Sequence, residues 1–306
     1  MNLAHIHIVL NHIPSIGTAV GLLLFIYSMV KKSDQLRKIS LQVLVVMSLA
    51  VLPTYLTGNA AQSALRNRTD IPRGLIEVHQ NAAIATLILM TITGTFAWFG
   101  LWQYRRFARM GTGTTYAMLI ISIFTAAAIL RTANLGGDIS HPEIRTAVEA
   151  PAPEVGWRAE VETFANNSWV WPASETLHFI GMALLFGIML LVNLRMLGVM
   201  KSIPFKAVHR LLPIGILGFV LNVISGMLFY IASPGMYYFN PGFTAKMVFL
   251  LVAAASVIYF TVFDTPWVMA ENKDAPLSAK IVAVSGMVML LGVMYFGRML
   301  PFLRNN

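Results

Sequence analysis

Eight apolar stretches, each about 20 residues or longer, divide the 306-residue chain. They lie at roughly 6–30, 41–64, 75–101, 115–133, 173–199, 211–232, 243–263 and 279–299. About 20 residues in a helix rising 1.5 Å per residue match the thickness of a bilayer's hydrocarbon core. Lipid offers no hydrogen-bond partner, so a segment of this kind satisfies its backbone internally and folds as a helix. The chain is 57% hydrophobic and 11% charged, against roughly 25% charged in soluble domains. That balance excludes a soluble globular protein and a disordered one. The expected fold class is an all-α integral membrane protein with eight transmembrane helices.

The spans fall into two groups of four, joined by one long connection at 134–172. It contains APAPE at 150–154, an irregular linker by composition. WRAEVETFANNSWVW at 157–171 reads as a short interfacial amphipathic helix with a tryptophan belt. The sequence therefore predicts a four-helix module over 1–145, a linker with an interfacial helix over 146–172, and a second four-helix module over 173–306. The first span lacks a basic leader and an A-x-A-like site, so it is expected to be retained. Lys31, Lys32, Arg37 and Lys38 follow it, which favours an outer N-terminus and an inner 31–38 loop. On that topology 13 of the 22 basic residues and four of the 13 acidic ones lie inside. The net charge of +9 then falls wholly on the inner side. It is an orientation signal and implies no nucleic-acid partner. Both termini are predicted extracytoplasmic, and the expected location is a bacterial cytoplasmic (inner) membrane.

There is no cysteine, which excludes disulfides, iron–sulfur clusters, Cys-ligated zinc and covalently attached haem. Histidine is then the strong nitrogen ligand available, and there are seven. Six (His5, His7, His12, His79, His141 and His178) lie in or near the predicted outer leaflet, with His209 at the opposite end. Ionisable residues inside a membrane are expensive and mark candidate functional positions. His12, in span one, and His79, in span three, can reach similar depth on neighbouring helices. Two imidazoles facing each other across a bundle are what bis-histidine haem b requires. Interhelical hydrogen bonding and a copper or other metal site stay open as alternatives. His7 and His12 point about 140° apart on a continuous helix, so the two are not expected to ligate one centre, and His12 is the preferred member. His178 is the intramembrane outer histidine of the second module, with His141 of the long connection as its candidate partner.

Arg73, Arg131 and Lys246 lie near the outer face and could pair with haem propionates or snorkel to headgroups. Pro14, Pro53 and Pro213 are expected to kink their helices. The 18 methionines are scattered and read as packing.

Two resemblances follow from these residues. Over roughly 5–145 the chain resembles a family of four-helix bacterial membrane proteins of unknown function, which opens H-P-x-x-x-H-F-P. Here the pattern reads His7-Ile-Val-Leu-Asn-His12-Ile-Pro14, without the first proline and the phenylalanine. Thr57-Gly58, His79 and Gly136-Gly137 match further family features. Over roughly 164–263 the chain resembles a second uncharacterised membrane family, distantly similar to copper-resistance D and HemJ-like proteins. SWVWPASETLHFIGMALLFGIMLLVNLRMLG (168–198), RLLPIGILGFVLNVISGMLF (210–229) and NPGFTAKM (240–247) carry it, with Asn193 where an aspartate is expected. HemJ-like members are b-type haem proteins, so this resemblance implies a haem site using His178.

The functional expectation is a membrane cytochrome subunit with one or two haem b groups. His12 and His79 would hold the first, and His178, with His141, the second. It would pass electrons between the quinone/quinol pool and an extracytoplasmic cytochrome or dehydrogenase subunit. The alternative is a copper or small-solute permease, or a cofactor-free membrane scaffold subunit. A permease needs a polar path to the inner side, and the inner halves of the spans are apolar.

Overall fold

The structure, a computed structural model, describes residues 3–65, 71–140, 157–238, 240–263, 267–268 and 272–303. Among them every regular element is a helix. In order these are α1 (Leu3–Leu10), α2 (His12–Val30), α3 (Asp34–Leu65), α4 (Arg73–Phe107), α5 (Thr112–Ser140) and α6 (Trp157–Ala165). They continue with α7 (Val170–Leu197), α8 (Phe205–Ala232), α9 (Pro234–Tyr237), α10 (Pro241–Val262) and α11 (Leu277–Met299). Eight helical spans among the described residues are long and apolar enough to cross a membrane, with α1 and α2 together making the first. The chain is a multi-pass, all-α membrane protein.

Apolar side chains cover the outward faces, as lipid demands, and also fill the interior, where small hydroxyls join them. Leu23, Phe124, Leu130, Ile281 and Tyr295 stand exposed on outward faces. Thr18, Ser28, Ser40, Thr93, Ser122 and Thr125 are buried. Hydroxyls across a helix interface act as glue where no water competes. The Thr93 and Thr125 Oγ1 atoms lie 2.7 Å apart between α4 and α5, and those of Thr86 and Thr132 lie 2.8 Å apart.

The chain divides into two compact units, 1–160 and 161–306, each holding four of the spans. The division falls inside α6. In unit 1, α2, α3, α4 and α5 pack in sequence, α5 returns to α2, and α1 lies on α3. In unit 2, α7 packs on α8 and on α11, and α11 packs on α10. The α7–α8 contact is backbone to backbone. A Cβ at Gly181 would lie 2.8 Å from the Gly218 carbonyl oxygen, and one at Gly218 would lie 2.7 Å from that of Gly181. Only glycine permits that approach.

Two local features stand out. The first span has a turn at Asn11, whose dihedrals stay helical (φ −63°, ψ −25°), and α3 and α8 continue as helices through Pro53 and Pro213. Pro14 accounts for the turn: it has no N–H for the Leu10 carbonyl, and its ring crowds that carbonyl. The freed Leu10 oxygen lies 3.4 Å from the Thr54 Oγ1 of α3, whose proton goes to the Ala50 carbonyl at 2.9 Å. The interfacial helix also ends at Ala165, short of the expected 171. There the Asn167 side-chain amide donates to the Phe164 carbonyl at 2.9 Å and closes the turn. α7 then starts at Val170, with Pro172 tolerated in its first turn.

Candidate functional site

At one end of unit 1 the start of α1, the C-terminal half of α3, the start of α4 and the end of α5 come together. His7 of α1 reaches α3, where its Nδ1–H donates to the Thr54 carbonyl at 2.9 Å, with the Thr57 hydroxyl 3.4 Å away. His79 of α4 reaches α5, where its Nδ1–H donates to the Thr132 carbonyl at 3.1 Å. A carbonyl only accepts, so Nδ1 carries the proton in both rings. Neutral imidazoles in that tautomer keep a lone pair on Nε2. Orienting a ligating histidine through Nδ1–H to a carbonyl is the usual outer support of a metal-bound imidazole. The two rings lie within electrostatic reach of each other.

Each ring also rests on a glycine of the helix it faces. A Cβ at Gly58 would come 2.9 Å from His7 Cε1, and one at Gly136 would come 3.2 Å from His79 Cε1. Both imidazoles therefore occupy notches that any other residue would fill. This arrangement fits bis-histidine haem: two half-buried nitrogen donors on different helices, both with Nε2 available. Among the described residues no group of three or more His, Asp or Glu is gathered, as a typical zinc site would need.

His12, the expected partner of His79, lies elsewhere. Its side chain is exposed, and its Nδ1–H donates to the Ile8 carbonyl of its own helix at 2.8 Å. It is His7 that the fold brings into the neighbourhood of His79. His5 is exposed too. Arg73 and Arg131 are both exposed. A third arginine reaches α4: Arg158 of α6 donates to Asn81 Oδ1 at 3.0 Å.

In unit 2, His178 of α7 donates Nδ1–H to Ser225 Oγ of α8 at 2.8 Å. The Ser225 hydroxyl proton goes to the Leu221 carbonyl at 2.6 Å, which fixes the histidine as donor. Nε2 is again the available nitrogen. The Phe229 ring lies 5.6 Å from the imidazole, and Trp171 lies 4.9 Å beyond, against Phe229. Lys246 of α10 is within electrostatic reach of His178. His141 lies outside the described residues. His209, the other histidine of unit 2, is buried 16 positions before Ser225 on α8, with its ring 5.0 Å from Trp267.

The outer supports Thr54, Thr132 and Ser225 carried no signal in the sequence, because carbonyls and hydroxyls are everywhere. Gly58 and Gly136 did stand out, but as family features without a role. No protein-family model, curated protein or solved structure matches the chain.

Proposed function

We propose that unit 1 binds haem b between His7 and His79, and that the protein is a cytochrome subunit of a bacterial cytoplasmic membrane. It passes electrons between quinone and an extracytoplasmic cytochrome or dehydrogenase subunit. One observation carries the reading: two imidazoles on separate helices, each with Nδ1–H given to a backbone carbonyl, Nε2 available and a glycine beneath the ring. When bound, the haem supplies one-electron transfer. His7 and His79 would hold it through Nε2. Thr54 and Thr132 hold the tautomer and the ring plane. Gly58 and Gly136 leave the space, and Arg73 and Arg131 are the cations that would pair with propionates. In unit 2, His178 is the residue a second haem would use.

The test is a reduced-minus-oxidised spectrum and haem-to-protein ratio of protein purified from haem-replete cells. His7→Ala and His79→Ala should each remove one haem, and His12→Ala should not. Colour that survives both substitutions but disappears with His178→Ala would leave haem in unit 2 alone. A colourless wild-type preparation would refute the haem reading and favour the cofactor-free scaffold.

A further inference from the structure

A second site stands at the other end of unit 2, and it is independent of the haem reading. Arg195 lies in the last turn of α7 and has no exposed surface. Gly198 ends that helix in the left-handed conformation, φ +85°, with its N–H on the Arg195 and Leu194 carbonyls. The chain then turns back over the arginine toward α8. The Arg195 Nε–H donates to the Ile203 carbonyl at 2.5 Å. The guanidinium lies over the Phe205 ring, 3.8 Å from its centroid. Nη1 and Nη2 have no hydrogen-bond partner.

One edge and one face of this guanidinium are therefore used, and the other edge is not. The unused edge is the two-nitrogen fork that matches carboxylate or phosphate oxygens in a bidentate way. A buried guanidinium with that edge unpaired is costly, so the fold calls for an anion. The carboxylate within electrostatic reach of Arg195, that of Asp274, is already engaged. Asp274 stands beside the end of α7, where a Cβ at Gly198 would lie 3.1 Å from its Oδ1. Lys201 Nζ holds Oδ1 at 2.9 Å, and Lys280 Nζ lies 3.9 Å from Oδ2. Arg195, Lys201 and Lys280 against Asp274 leave an excess of positive charge at the level where a spanning helix ends. That is the level of lipid phosphates, and basic pockets at helix ends take lipid headgroups.

We propose that Arg195 is the centre of a phosphate-binding site, bidentate through Nη1 and Nη2, with Lys201 and Lys280 beside it. The phosphate belongs to an anionic phospholipid headgroup or to a soluble phosphate, and the experiment separates the two.

Full-length protein in neutral detergent is titrated with phosphatidylglycerol and, separately, with inorganic phosphate. Binding is read by native mass spectrometry and by melting temperature. Arg195→Lys keeps the charge and loses the fork, so affinity should fall about 10-fold or more. Asp274→Asn removes the competing carboxylate at an exposed position and should tighten binding. Retention of phosphatidylglycerol alone assigns the phosphate to lipid, and stabilisation by inorganic phosphate assigns it to a soluble anion. Either supports the site when Arg195→Lys weakens it. If neither probe binds, or if Arg195→Lys and Asp274→Asn both bind like the wild type, the proposal falls. It falls also if the two substitutions destabilise equally and non-additively, since Asp274 would then be the partner of Arg195.

Discussion

Replacing Gly58 with alanine tests the haem site without touching a ligand. The new Cβ would lie 2.9 Å from His7 Cε1, where carbon atoms pack best at about 3.5–4.0 Å. The ring must give by about 0.6 Å or more. Cε1 sits between the two ring nitrogens, so the push displaces Nε2 and strains the bond from Nδ1 to Thr54. Metal–ligand distances hold to about 0.2 Å, so the shift exceeds what ligation through Nε2 would tolerate. Losing an outer support typically costs a metal site about 10–100-fold in affinity. The helix itself gains up to about 1 kcal/mol from Gly to Ala, against about 1–3 kcal/mol for overpacking, so the fold should survive. Gly136→Ala, at 3.2 Å from His79 Cε1, should lose less haem. Gly137→Ala, with nothing within 4 Å, should lose none. The assay is haem per protein after purification, beside a circular-dichroism melt. Equal haem in Gly58→Ala and Gly137→Ala, with a haem-loaded wild type, would refute the argument that the notch positions His7.

Two further outcomes are expected in unit 2. A Cβ at Gly292 would run into the Phe249 ring, so Gly292→Ala should destabilise the α10–α11 contact by about 1–3 kcal/mol; an unchanged or higher melting temperature would count against that packing. The hydrogen bond from Lys201 holds the Asp274 carboxyl below the usual carboxylate range. A carboxyl lowered in the folded state contributes stability above its unfolded pKa, about 3.9, and loses it as pH falls through the folded value. Lys201→Met should therefore flatten the acid limb of a melting-temperature profile below about pH 4, and an unchanged limb would show the pair contributes nothing.

The spans were legible because lipid leaves a long apolar segment no other fold. Their ends were less so: α3 begins at Asp34, about two turns before the apolar stretch at 41, because hydropathy cannot follow a helix into charged residues. The haem candidate was half legible. His79 stood out as a histidine one turn inside its span, but the choice between His7 and His12 went to His12, which the fold leaves exposed. Asn11 keeps helical dihedrals, so the two still point apart; which of them faces His79 is set by the packing of α1 on α3, and periodicity does not give that. Arg195 was legible only as one more positive charge on the inner side. Its burial depends on a turn formed by the seven residues after Leu197, which periodicity does not see.

Four spans in each unit have a consequence for how such a chain can be made and altered. An even number of crossings returns the chain to the side from which it set out. Either unit can then be deleted, duplicated or fused elsewhere without inverting the other. A gene encoding 161–306 alone would insert in the sense it has in the full chain, given a leader that starts it on the correct side. With an odd number in either unit, the same edit would turn its neighbour upside down.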